Sequence, residues 1–71
     1  MKNKFAERLK ELRLEKKATQ QEVSLETKIS QASIARMERG KQQPSIDALV
    51  ALAVYFKTSI DYLAGLKDTE N

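Results

Sequence analysis

Apolar residues recur along this chain at the spacings of three and four that are typical of helices. In the first segment they form one stripe: Phe5, Ala6, Leu9 and Leu12. We predict five helices: the first from about residue 3 or 4 to 16, the next three over about 20–27, 31–39 and 46–56, and the last from about residue 59 or 60 to 64. The segment 46–56 is apolar almost all round, so it lies at the centre of a core or is covered in part by a partner. The pattern predicts an all-α protein.

Residues 19–40 contain two of these helices, joined by a tight turn. Thr19 can cap the first helix, and Glu22 three residues later completes a capping box that satisfies two backbone N–H groups. Ser30 can cap the second helix, and Gly40 stands where a helix end favours a left-handed residue. This stretch therefore predicts a helix-turn-helix.

The second helix of this pair has two different faces. Its inner side has Ile34 and Met37 together with Glu38. Its outer side has no acidic, aromatic or large aliphatic residue: Gln31, Ala32, Ala35, Arg36 and Arg39. Glutamine can form two hydrogen bonds with adenine, arginine two with guanine, and alanine can contact a thymine methyl group. An ordinary solvated face would have the same residues, so the spacing alone favours neither interpretation.

The composition limits the chemistry that this chain can perform. Its 71 residues make one domain and include no Cys and no His, which excludes disulfides, a zinc site and a histidine base. Only carboxylates and lysines remain for catalysis, without a recognisable constellation, so we expect no enzyme, no metal and no cofactor. No apolar run approaches the ~18 residues of a membrane span, and the charged N-terminus lacks the apolar block of a signal peptide. We expect a cytoplasmic protein.

The positive charge is unevenly distributed along the chain. Residues 1–41 hold eleven Lys and Arg against six Glu, whereas residues 42–71 hold two Lys against four Asp and Glu. The basic part contains the predicted helix-turn-helix. A basic excess favours polyanions through the release of counterions, although many soluble proteins that bind no polyanion share it.

Five short motifs occur in a fixed order: Thr-Gln-x-Glu-Val at 19–23, Ile-Ser-Gln at 29–31, Ser-Ile-Ala-Arg-Met-Glu-Arg-Gly-Lys at 33–41, Pro-Ser-Ile at 44–46 and Ser-Ile-Asp-Tyr-Leu at 59–63. Together they resemble the lambda-repressor-like (Xre/Cro-type) helix-turn-helix family. The resemblance implies a compact five-helix bundle whose second and third helices form the helix-turn-helix. It also implies a DNA-binding domain over residues 1–66 and a polar C-terminal tail over 67–71.

The resemblance implies a sequence-specific regulator of transcription that binds double-stranded DNA, and we expect a repressor. The third helix, about 31–39, would enter the major groove of a pseudo-palindromic operator, and no small-molecule ligand is evident. The alternative is a protein-interaction or antitoxin-type module that uses the same fold, because fold does not dictate function.

The family pattern also assigns roles to individual residues. Those expected at base edges are Gln31, Ala32 and Arg36. Those expected at the DNA backbone are Thr19, Gln20, Ser33, Lys41, Gln42 and Gln43. Gln20 should in addition brace Gln31. Arg13 and Glu38 match positions that commonly form a partly buried ion pair; two unrelated surface charges are the alternative.

Two further expectations follow from the resemblance. Family members bind as dimers, and we expect the contact here around helix 5 and the tail, where three apolar residues are not all needed in the core: Tyr62, Ala64 and Leu66. Val54 on helix 4 is a second candidate, and the dimer can be one that forms only on DNA. Scattered exposed hydrophobic residues on a monomer would give the same pattern. The family usually has glycine at three positions where this chain has lysine: Lys17, Lys28 and Lys57. Each of these turns therefore either adopts a positive φ or has a different turn geometry from the family.

Overall fold

A computed structural model describes residues 4–68, and these residues form five α-helices. The helices are α1 Lys4–Glu15, α2 Gln20–Thr27, α3 Gln31–Glu38, α4 Ile46–Phe56 and α5 Ile60–Ala64. The predicted all-α fold with a helix-turn-helix formed by α2 and α3 is confirmed. Residues 1–3 and 69–71, including most of the predicted tail, lie outside the described part. Within residues 4–68, no helix is both long enough and apolar enough to cross a membrane.

A side-chain hydroxyl caps the start of every helix from α2 to α5. At α2 the capping box is complete, because Glu22 N donates to Thr19 Oγ1 at 3.0 Å and Thr19 N donates to Glu22 Oε1 at 2.8 Å. The other three caps each accept one backbone N–H: Ser30, Ser45 and Ser59. Each cap satisfies an amide that has no acceptor within its helix, so the helix starts are fixed by local sequence.

The three lysines that replace glycine all adopt the left-handed conformation. Their φ angles are 58° at Lys17, 62° at Lys28 and 55° at Lys57. Each of these turns closes with a backbone bond to the helix before it: Ala18 N to Arg13 O at 3.0 Å, Lys28 N to Ser24 O at 2.8 Å and Thr58 N to Ala53 O at 3.0 Å. These bonds satisfy orphan helix carbonyls, and cations near helix C-termini are favourable, which offsets part of the strain. All three turns therefore adopt a positive φ without a glycine.

The core lies where α1, α3 and α5 meet α2 and α4. Six side chains are essentially inaccessible to solvent: Leu9, Val23, Ile34, Met37, Leu52 and Leu63. Helix α3 packs against both α1 and α2, while α5 packs against α1 and α4. This arrangement buries the inner face of α3 and leaves its outer face to solvent.

An ion pair joins α1 to α3 at the edge of this core. Arg13 Nε donates to Glu38 Oε2 at 2.5 Å and Arg13 Nη2 donates to Glu38 Oε1 at 3.0 Å. The remaining terminal nitrogen, Nη1, donates to the Ala18 carbonyl at 3.0 Å. The two side chains are 13% and 4% exposed. The hydrogen bond with Glu38 raises the pKa of Arg13 against the opposing effect of burial, so the Arg13 guanidinium remains charged.

Gln20 adds α2 to this pair. Its Nε2 donates to Glu38 Oε1 at 3.2 Å, so the structure joins Gln20 to Glu38 instead of to Gln31. A buried carboxylate is a stronger acceptor than a solvated amide, because bonds to ionised groups are about twice as strong as neutral ones. We call Arg13, Glu38 and Gln20 the polar node. It ties α3 to α1 and α2, the two helices against which α3 packs.

The polar node generates a prediction about stability. We expect Glu38→Gln to lower the free energy of unfolding by about 3 kcal/mol, because the substitution strands the Arg13 charge in a partly buried site. The loss falls at the low end of the usual range since glutamine still offers one oxygen to Arg13. Denaturant unfolding monitored by circular dichroism measures it.

Glu11→Gln is the matched control, since Glu11 is exposed on α1 and undergoes the same change of charge. We expect it to change stability by less than about 0.5 kcal/mol. Equal effects of the two substitutions would show that the pair does not support the fold.

Candidate nucleic-acid interface

The outer face of α3 is open to solvent. Gln31, Ala32, Arg36 and Arg39 are exposed, whereas Ile34 and Met37 on the opposite side are buried. The three residues expected at base edges, Gln31, Ala32 and Arg36, lie within about 140° of arc at 100° per residue. The fold therefore brings these three residues together on one accessible surface.

The loop after α3 folds back along the helix and extends this surface. Gly40 has a φ of 73°, and Lys41 N donates to the Arg36 carbonyl at 2.8 Å. This turn directs the following residues back towards the outer face instead of away from it. Lys41 and Gln43 are exposed and Gln42 is half-buried.

Side-chain hydrogen bonds connect the loop to Arg36. Arg36 Nε donates to Gln42 Oε1 at 2.8 Å, and Arg36 Nη2 donates to Ser33 Oγ at 3.3 Å. Arg36, which is expected at base edges, thus contacts Gln42 and Ser33, which are expected at the DNA backbone.

Most of the other expected backbone residues lie near the helix starts. Ser33, Gln42 and Gln43 line one open depression of about 410 Å³ beside the N-terminus of α4, together with Lys28 and Asp47. Thr19 is exposed and Gln20 half-buried at the start of α2. The first amides of a helix point outwards without an acceptor, and they attract anions. The expected backbone residues therefore flank the outer face of α3.

The residues expected at a dimer contact do not form one surface. Val54 borders a groove with Thr27, Lys28 and Tyr55, whereas Ala64 borders Phe5, Pro44 and Leu49. Val54 is 72% exposed and Leu66 is 78% exposed. Two separate apolar surfaces are therefore available, one on α4 and one at the end of α5.

The apolar helix α4 lies in the core on one side and is open to solvent on another. Leu52 and Ala53 are buried in the core. Three residues at four-residue spacing are exposed on another side: Ile46, Val50 and Val54. We call these three residues the α4 stripe.

Sequence reasoning missed the role of Arg8. Its Nη1 donates to the Tyr62 carbonyl and to the Lys67 carbonyl, each at 2.5 Å, and its guanidinium lies 4.1 Å from the centre of the Tyr62 ring. Arg8 thereby satisfies carbonyls at the end of α5 and holds Tyr62, one of the residues expected at a dimer contact. The available signal was its spacing, since Arg8 lies three residues after Phe5 and four before Leu12, on the apolar side of α1.

The bundle and the exposed, carboxylate-free outer face of α3 define a helix-turn-helix protein. The chain belongs to the lambda-repressor-like (Xre-type) helix-turn-helix family, because the model of a family described as helix-turn-helix matches residues 9–63. The family membership inferred from the sequence motifs is thereby confirmed.

Two relatives are similar over nearly the whole chain. One is BcrR of Enterococcus faecalis, named an HTH-type transcriptional activator, which is 32% identical over 73 residues covering 94% of this chain and 36% of that protein. The other is YobD of Bacillus subtilis (strain 168), named an uncharacterized HTH-type transcriptional regulator, which is 33% identical over 64 residues covering 90% of this chain and 57% of that protein. The chain thus spans only 36% and 57% of the lengths of these relatives.

Proposed function

We propose that this chain binds double-stranded DNA in a sequence-specific manner and regulates transcription. The observation behind the proposal is the outer face of α3, which is exposed, free of acidic residues and fixed from behind by the polar node. A helix with small residues between a glutamine and two arginines can approach a major groove closely. The names of the two relatives support the same class of function.

In the proposed complex, α3 lies in the major groove and presents three side chains to base edges. Gln31 suits adenine, Arg36 suits guanine, and Ala32 suits the methyl group of thymine. Contacts to phosphates set the register of the protein on the duplex. For those we propose the six residues around the helix starts and the loop: Thr19, Gln20, Ser33, Lys41, Gln42 and Gln43.

The direction of regulation depends on where the operator lies relative to a promoter. We propose repression, since a domain bound across a promoter blocks access to it without any further contact. One relative is named an activator, so the sign requires a reporter assay. A rise in reporter output on deletion of the protein supports repression, and a fall contradicts it.

A two-fold dimer on a pseudo-palindromic operator completes the proposal. One α-helix covers only a few base pairs, too few for a useful specificity ratio in a genome. Two copies would place their α3 helices in successive major grooves ~34 Å apart. The described domain measures 27 × 24 × 22 Å, so two copies fit side by side at that spacing.

One prediction separates base readout from backbone contact. We select the preferred site from random duplexes with the wild-type protein and then measure binding by gel shift over a range of salt. Arg36→Ala should cost about 1–3 kcal/mol on the selected site and relax preference at one base position. Lys41→Ala should weaken binding to selected and random duplexes alike and reduce the salt slope by about 1.

Lys10→Ala is the control, because Lys10 is exposed on α1 outside the proposed interface and has the same charge as Lys41. If Arg36→Ala lowered the affinity for selected and random DNA equally, Arg36 would not be a residue that contacts base edges. If no sequence is enriched, the interaction-module alternative is favoured, with the α4 stripe as its candidate surface.

Another prediction concerns the dimer. Footprinting of the selected site should show two protected half-sites about one helical turn apart, with two protomers per duplex at saturation. Val54→Lys and Leu66→Lys distinguish the two apolar surfaces, since a charge at the contact should abolish joint protection. A single protected half-site with one protomer per duplex would rule the dimer out.

A further inference from the structure

We propose that Gln42 is a positioning residue that sets the base preference of Arg36, an inference that rests on the proposed function. Gln42 was expected only at the DNA backbone, where it would contribute equally on every sequence. Its hydrogen bond with Arg36 gives it a second role. Through that bond, a loop residue selects how an α3 side chain approaches a base.

The geometry leaves one edge of the Arg36 guanidinium for DNA. A guanidinium offers two pairs of donors for bidentate bonding, Nε with Nη2 and Nη1 with Nη2. Arg36 Nε donates to Gln42 Oε1 at 2.8 Å and Nη2 donates to Ser33 Oγ at 3.3 Å. The first pair is therefore occupied by the protein, while Nη1 and the second hydrogen of Nη2 remain for the O6 and N7 atoms of guanine.

The hydrogen bond also restricts a side chain that would otherwise be mobile. Arg36 is exposed, and a free arginine has among the largest rotamer entropies of any side chain. Gln42 is half-buried in a loop that is itself held to α3 by the bond from Lys41 N to Arg36 O at 2.8 Å. An arginine that is already oriented loses less freedom on binding, which improves affinity for the matching base.

Gln42 can perform both roles at once. Its Oε1 accepts from Arg36, and its Nε2 offers two further N–H donors, which suit a phosphate oxygen. A contact of Gln42 with a phosphate, which fixes the position of the protein along the duplex, thereby also fixes the position of Arg36 relative to the bases. The bond between Arg36 and Gln42 is exposed in the free protein and contributes little to folding. Its effect appears when water is excluded at the interface.

The test is a double-mutant cycle on the site selected with the wild-type protein. We measure the discrimination ratio, which is the dissociation constant for the same site with the Arg36-dependent G·C pair replaced by A·T divided by the dissociation constant for the selected site. Gln42→Ala should lower this ratio by about threefold to tenfold, a part of the discrimination of one bidentate pair. In the background of Arg36→Ala it should leave the ratio unchanged, since the two residues act as one unit.

Two further variants separate the roles. Gln43→Ala is the matched control, because this neighbouring glutamine is exposed in the same loop, and it should leave the ratio unchanged. Gln42→Glu keeps an oxygen for Arg36 but adds a charge that repels phosphate. It should preserve the ratio while weakening binding to both duplexes.

The outcomes that overturn the inference differ from those that overturn the proposed function. An unchanged ratio for Gln42→Ala, while Arg36→Ala still lowers it, would reduce Gln42 to a backbone contact. A higher ratio for Gln42→Ala would mean that Gln42 competes with the base, and an additive double mutant would mean that the residues act separately. If the wild-type protein enriches no sequence, the proposed function fails and the inference with it.

Discussion

The ion pair between Arg13 and Glu38 is the interaction on which the placement of α3 depends. Burying charges is costly, and this pair is tolerated because its hydrogen-bonding groups find several partners. Arg13 donates to Glu38 and to the Ala18 carbonyl, and Gln20 adds a bond to the Glu38 carboxylate. Since these residues lie on α1, α3 and α2, the polar node fixes the orientation of all three helices.

The short length of α3 explains why such an interaction is needed. A helix of eight residues is unstable by itself, because nucleation is costly and few turns follow it. Burial of Ile34 and Met37, the Ser30 cap and the polar node supply the missing stability. All of these contacts lie on the inner side or at the ends of α3. The outer face is therefore held in place without taking part in the fold, and its residues are available for a ligand.

Local features of the sequence were sufficient to predict most of the fold. The capping hydroxyls of Thr19, Ser30 and Ser45 mark helix starts because the signal and its hydrogen bond lie within a few residues. The family pattern added the pairing of Arg13 with Glu38. Small differences remain at helix ends. The helices predicted to end at residues 16 and 39 end one residue earlier, at Glu15 and Glu38.

Contacts between distant parts of the chain could not be predicted in the same way. Arg8 contacts Tyr62 across 54 positions, and its partners there are backbone carbonyls, which every residue possesses. The bond between Arg36 and Gln42 depends on how sharply the loop returns after Gly40, and sequence spacing does not give that direction. The separation of Val54 from Ala64 likewise depends on which side of α4 packs against the core.

The most direct test of DNA binding by the outer face of α3 is an NMR titration of the ¹⁵N-labelled protein with its selected duplex. We expect the largest amide shift changes in three segments: 19–21, 31–36 and 40–45. The amides of Lys10 and Glu11, which are exposed on α1 outside the proposed interface and both candidate dimer surfaces, should change little. Largest changes on α4 or α5, with α3 unaffected, would contradict the placement of α3 in the major groove.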